Sequence, residues 1–202
     1  VAQLISIAGL VGVGKTTLAR GLAKQLGGEL VLEAFAENPF LKDQYANKAD
    51  AGLASELFFL VSRMHQLSRE AFGKDDLLVT DYIFEKSRFF AEIFLDVQQY
   101  AIFKEVFDAF DKQVITPTTV IYLKDTVDNC MNRIKSRGRD FEQSLSKAWL
   151  ETLDQYYITR FENETCTTRI EIDCSAIDLR EESGVAHVVD LVNNGQNVTV
   201  EI

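Results

Sequence analysis

Gly9-Leu10-Val11-Gly12-Val13-Gly14-Lys15-Thr16 is a complete G-x-x-x-x-G-K-[ST] phosphate-binding loop, and its flanks are those the loop requires. Ahead of it, Leu4-Ile5-Ser6-Ile7-Ala8 reads as a buried parallel strand. Behind it, Leu18, Leu22 and Leu26 recur on one helical stripe. Glycines at 9, 12 and 14 free the loop backbone, Leu10, Val11 and Val13 included, to turn its N–H groups onto the β- and γ-phosphates. The helix N-terminus adds its positive dipole end. Lys15 neutralises phosphate charge and the Thr16 hydroxyl is offered to Mg2+. The spacing therefore implies a nucleoside triphosphate site over Gly9–Thr17.

Working outward, strand and helix signals alternate, the pattern of a parallel sheet wrapped by helices. Glu29–Leu32 reads as a second strand ending at Glu33, Leu77–Thr80 as a third ending at Asp81, Thr118–Leu123 as a fourth and Thr168–Asp173 as a fifth. Helices are expected over 51–72, within the Phe-rich stretch 83–112, and over 126–137, 149–161 and about 182–194. The tail 197–202 alternates like an edge strand. The fold class is thus α/β, a five-stranded parallel sheet in one domain spanning 1–202.

Lys and Arg total 21 against 31 Asp and Glu, a net charge of −10, which disfavours a nucleic-acid-binding face. Cys130, Cys166 and Cys174 have no metal-ligand spacing, and an odd count argues against a disulfide framework. Neither a signal peptide nor a membrane-spanning apolar run is evident, so a cytoplasmic protein without a membrane partner is expected. In that setting the sequons at Asn163-Glu164-Thr165 and Asn197-Val198-Thr199 are coincidental.

Arg133, Arg137 and Arg139 cluster around Gly138, with Arg133 and Arg137 on one helical face. Beside a phosphate loop, such a cluster suits an arginine-rich lid, about 134–145, that brings guanidinium groups onto transferring phosphate. Glu33 and Asp81 end neighbouring strands, where open α/β sheets place ligand chemistry. One carboxylate would accept a hydroxyl proton and the other would hold Mg2+ or its waters.

The run from Glu33-Ala34-Phe35-Ala36-Glu37-Asn38-Pro39-Phe40-Leu41 through Tyr45, Phe58-Phe59-Leu60 and Asp81 to Arg133–Glu142 resembles the deoxynucleoside kinase family, in order, over about residues 3–162. The resemblance implies a P-loop kinase fold and transfer of the ATP γ-phosphate to a deoxynucleoside 5′-hydroxyl in nucleotide salvage. It implies Glu33 as the base for that hydroxyl, and Tyr45 and Glu142 as holders of the 3′-hydroxyl. By the same resemblance Glu56 and Arg63 face the nucleobase, Arg133, Arg137 and Arg139 act as lid arginines, and Asp81 lies near Mg2+. Phe58 or Phe59, and Phe89 or Phe90, are candidates to stack on the base. A homodimer packed through the Phe-rich 51–112 region is also implied.

Two positions depart from the family pattern. Tyr82 stands where an arginine is usual, and Lys86, one turn on along the same face, returns the positive charge. Glu56 replaces a glutamine, and an ionised carboxylate only accepts. Guanine offers N1–H and its 2-amino group to Glu56, and O6 and N7 to Arg63, so deoxyguanosine is favoured, with deoxyadenosine and deoxycytidine as alternatives. A nucleoside monophosphate kinase is the nearest rival, but the acidic stretch 29–60 suits a neutral acceptor. A P-loop nucleotide switch is the rival from another class.

Overall fold

The computed structural model describes residues 3–46, 48, 51–70, 72–73, 76–162 and 168–200. Cys166 and the Asn163-Glu164-Thr165 sequon lie outside the described residues, as does part of the 51–72 helix expectation.

Strand β1 (Gln3–Ala8) forms the middle of the sheet because it is apolar on both faces, with Leu4, Ile5, Ile7 and Ala8 all buried. It pairs in parallel with β3 (Leu77–Thr80) on one side and β4 (Thr119–Lys124) on the other. Beyond β3 lies β2 (Glu29–Val31), and beyond β4 lie β5 (Thr168–Asp173) and β6 (Val198–Val200), giving the order β2-β3-β1-β4-β5-β6. Among the described residues the sheet is parallel throughout, as anticipated, but has six strands rather than five. The sixth is the alternating tail: Val198, Thr199 and Val200 pair with Ile170, Glu171 and Ile172.

The chain reverses its direction of winding between β3 and β4, on either side of β1. That reversal opens a crevice at the carboxyl ends of the strands. Residues just after β1, β2 and β3 must therefore converge, and these include the phosphate loop, Glu33 and Asp81.

Along β1, side chains alternate between two cores. Ile5 and Ile7 face a cluster with α1 (Lys15–Leu26), α6 (Val127–Arg137), α7 (Lys147–Glu162) and α8 (Glu182–Asn194). Leu4 joins a second cluster with α3 (Ala51–Leu67) and α5 (Val97–Asp111).

Helix α3 stops at Leu67, short of the expected residue 72, because the chain there turns to extended pairing. Ser68 bridges Val114, and the Ile115 N–H donates to the Leu67 carbonyl at 2.9 Å. The Phe-rich stretch divides into α4 (Lys86–Phe94) and α5, since the Asp96 carboxylate caps the N–H groups of Gln98 and Gln99 and restarts the helix. A five-residue helix α2 (Leu41–Tyr45) is too short to leave a periodic signal in the sequence. Among the described residues no helix is long and apolar enough to cross a membrane.

Candidate active site

The loop between β1 and α1 is shaped for anion binding by backbone constraint. Gly12 sits at φ 83°, and a Cβ there would lie 2.7 Å from the Cys130 carbonyl oxygen, so both conformation and space demand glycine. Gly14 precedes α1 at φ 117° with no side-chain cap, leaving the first helical N–H groups for a ligand. Lys15 curls over its own loop, its Nζ donating to the carbonyls of Gly9 at 2.8 Å and Leu10 at 2.7 Å. Burial, then the charge of Lys86, pulls its pKa down to about 8 against the opposing pull of Asp81 and Glu33.

A hydrogen-bonded line runs from this loop across two strand ends. Thr16 Oγ1 donates to Asp81 Oδ2 at 2.5 Å, and Asp81 Oδ1 accepts from the Glu33 backbone N–H at 3.0 Å. Glu33 itself is clamped. Lys86 Nζ lies 2.8 Å from its Oε1 and 2.7 Å from its Oε2, and an Arg63 Nη donates to Oε1 as well. Burial works to raise the Glu33 pKa, but the charges of Lys86 and Arg63 overcome it and hold the carboxyl well below the usual range.

Arg63 is almost wholly buried and also donates to Ser87 Oγ at 2.5 Å, with its guanidinium over the rings of Phe59 and Tyr82. Tyr82, in the place where an arginine was noted as usual, sits in the core and donates from its hydroxyl to Gln66. Lys86, one turn along, meets Glu33 together with Arg63.

The lid segment closes the cleft from the other side. Glu142 lies in a 3₁₀ turn, Asp140–Glu142, and accepts from Arg137 (2.6 and 3.1 Å) and Arg139 (3.2 Å). Arg139 lies over Phe35 with its carbon 4.0 Å from the ring centre. Tyr45 stacks on Phe141 at 6.0 Å, and burial raises the pKa of its hydroxyl, which stays a neutral donor and acceptor. Arg133 is not part of this group. It pairs with Asp125 at 2.6 Å and lines a second cleft on the far flank of the loop, with Thr17, Cys174 and Arg180.

A cleft lies between the phosphate loop and the lid segment. Its walls bring together Lys15, Thr16, Glu33, Tyr45, Arg63, Asp81, Lys86, Arg137, Arg139 and Glu142 from the sequence reading. Of the aromatic candidates, Phe59 and Phe90 line it, whereas Phe89 packs against Tyr156 and Tyr157. Glu56 stands one residue behind the wall, hydrogen-bonded to Gln44, which does line the cleft. Gln44, Phe35, Leu41, Phe141 and Ser87 were not foreseen. For Gln44 the one available signal was its place beside Tyr45.

A phosphate loop at a winding reversal, a cleft beside it and a carboxylate clamped at their junction define a P-loop phosphotransferase. The deoxynucleoside kinase family model matches residues 5–196, so the chain belongs to that family and is an ATP-dependent deoxynucleoside kinase. It is 33% identical over 159 residues to the deoxyguanosine kinase of Bacillus subtilis (strain 168), covering 77% of each chain. It is 28% identical over 199 residues to the deoxyadenosine/deoxycytidine kinase of the same organism, covering 94% of this chain and 91% of the relative. In fold it is similar to a solved deoxyadenosine kinase from M. mycoides, with a TM-score of 0.81, 22% identity and coverage of 95% and 99%.

Proposed function

We propose that this kinase transfers the γ-phosphate of ATP to the 5′-hydroxyl of a deoxynucleoside, with deoxyguanosine favoured. The observation that carries the reading is the placement of Glu33: its carboxylate is clamped by Lys86 and Arg63, and its backbone is tied to Asp81, which bonds Thr16 of the loop.

ATP phosphates lie on the backbone N–H groups of Gly9–Thr17, and the second cleft beside Arg133 takes the remainder of the donor. The Thr16 hydroxyl and Asp81 carboxylate are hard oxygen donors held together. That pair suits Mg2+, which takes one or two protein oxygens and the rest from phosphates and water. When bound, Mg2+ supplies charge neutralisation on the phosphates. Among the described residues no group of three or more His, Cys, Asp or Glu could hold a metal ion.

Glu33 accepts a hydrogen bond from the 5′-hydroxyl and aims its oxygen at the phosphorus. A carboxylate held this acidic is a weak base, and a loose phosphoryl-transfer transition state demands little base strength, so orientation is its main contribution. Arg137 and Arg139 stabilise the transferring phosphoryl group. Tyr45 and Glu142 hold the 3′-hydroxyl. Glu56 is the ground for the deoxyguanosine preference: it is buried, and its Oε2 has no hydrogen-bond partner among the described residues. The protein acts as a homodimer, a reading supported by exposed Val61, Val97 and Ile102 on α3 and α5, within the Phe-rich region. Analytical ultracentrifugation tests it.

Glu33→Gln tests the central reading. Turnover should fall by about 10²-fold or more, the cost of a misplaced acceptor, while ATP affinity is retained; unchanged turnover would remove it.

A further inference from the structure

A chain of side chains behind the acceptor cleft has its polarity fixed at one end. The Phe40 backbone N–H, which can only donate, bonds Asn38 Oδ1 at 3.0 Å. Asn38 must therefore present its Nδ2 to Ser55, which it does at 2.9 Å to Oγ. Ser55, having accepted, donates its own hydrogen to Gln44 Oε1 at 2.6 Å. Gln44 is left to donate from Nε2 to Glu56 Oε1 at 2.5 Å. All four side chains are at least nine-tenths buried, and only Gln44 lines the cleft. Two valences remain at the end of the relay: the second Nε2 hydrogen of Gln44, and Glu56 Oε2, which is buried without a partner among the described residues.

We propose that Gln44 is a specificity-determining residue for the nucleobase, oriented by this relay, and that with Glu56 it reads the O6 and N1–H edge of a 6-oxopurine. The inference rests on the acceptor cleft being the deoxynucleoside site and refines its base preference. A donor beside an acceptor complements O6 beside N1–H. Adenine and cytosine present an amino group beside a bare ring nitrogen, so donor meets donor and acceptor meets acceptor. A buried mismatch of that kind is costly. The 2-amino group of guanine lies outside the pair that is read.

Asn38 and Ser55 act only through Gln44 and are positioning residues. Asn38→Asp has no hydrogen for Ser55, so the Ser55 hydroxyl turns to the new carboxylate and its oxygen then accepts from Gln44. The amide flips and presents its oxygen toward Glu56, which takes up a proton to donate to it. Ser55→Ala removes one buried oxygen and cuts the relay, leaving the amide free to adopt both orientations.

The test is kcat/KM for deoxyguanosine, deoxyinosine, deoxyadenosine and deoxycytidine with the native protein and these two variants. Native enzyme should accept deoxyinosine within about tenfold of deoxyguanosine and disfavour the other two by more than about tenfold. Asn38→Asp should move the deoxyguanosine-to-deoxyadenosine ratio at least about tenfold toward deoxyadenosine, and Ser55→Ala should bring it toward unity. A native preference for deoxyadenosine or deoxycytidine overturns the proposal. So does deoxyinosine falling about a hundredfold below deoxyguanosine, or a uniform loss in both variants with the ratio unmoved. Turnover of no deoxynucleoside at all removes the proposed function and this refinement together, whereas turnover with the wrong ranking removes the refinement alone.

Discussion

Lys86 Nζ bonds both carboxylate oxygens of Glu33, at 2.8 and 2.7 Å, from the first turn of α4. A point charge on a flexible stem thus meets the Glu33 carboxylate. An arginine fork would bind the same carboxylate in a fixed plane.

The clamp sets a pH limit. Lys86 is the leading charge that holds the Glu33 carboxyl low against burial, so Lys86→Gln should raise that pKa. A depressed carboxyl contributes function and stability above its unfolded pKa and loses them as pH falls through the folded value. The variant's acid limb of kcat/KM should therefore lie at higher pH than the native one. A pH profile with the limb unmoved would show that Lys86 does not govern Glu33.

Lys15 makes ATP binding a proton-uptake event in mild alkali. Burial and Lys86 lower its pKa to about 8, and the incoming phosphates favour the charged form. Above about pH 8, ATP affinity should weaken as pH rises. Calorimetry at pH 8.5 in two buffers of different ionisation enthalpy should show net proton uptake, lost in Lys15→Met.

Glu56 should couple stability to pH in the opposite sense to Glu33. Burial raises its pKa to about 7, against the hydrogen bond from Gln44 and the charges of Arg63 and Lys86, with Glu33 adding to the rise. The folded state therefore holds its proton more tightly than the unfolded chain. That contribution is complete below about pH 4.5 and is lost as pH rises through about 7, a change on the order of 3 kcal/mol. Glu56→Gln should flatten this slope in denaturant titrations between pH 5 and about 8. It should also remove any rise of deoxyguanosine kcat/KM through neutrality, because an ionised Oε2 is what N1–H requires.

Glu142 is held by Arg137 and Arg139, so the residue assigned to the 3′-hydroxyl also restrains the lid cations. Comparing a deoxynucleoside with its 2′,3′-dideoxy analogue isolates the first role. The native enzyme should favour the hydroxylated substrate by about tenfold or more, and Glu142→Ala should erase the difference. A preserved preference in the variant would place the 3′-hydroxyl elsewhere.

What could be read from the sequence was local or periodic. The phosphate loop is contiguous, and Glu33 and Asp81 are marked by strand ends, so their convergence follows from the winding of a parallel sheet. Helix α2 and the Gln44 relay could not be read that way, because Asn38, Gln44, Ser55 and Glu56 meet through tertiary hydrogen bonds with no fixed spacing. Arg133 and Arg137 share a helical face by spacing, yet a turn of α6 is enough to send them to different clefts. The tail strand was visible as alternation, and only its pairing with β5 made it part of the sheet.

The most direct measurement is ADP release from MgATP with each of the four deoxynucleosides, run beside dGMP. Turnover led by deoxyguanosine, with dGMP inert as acceptor, is the expected result. Acceleration by the monophosphate alone, or by nothing in the panel, would contradict the assignment of Glu33 and its cleft to a deoxynucleoside 5′-hydroxyl.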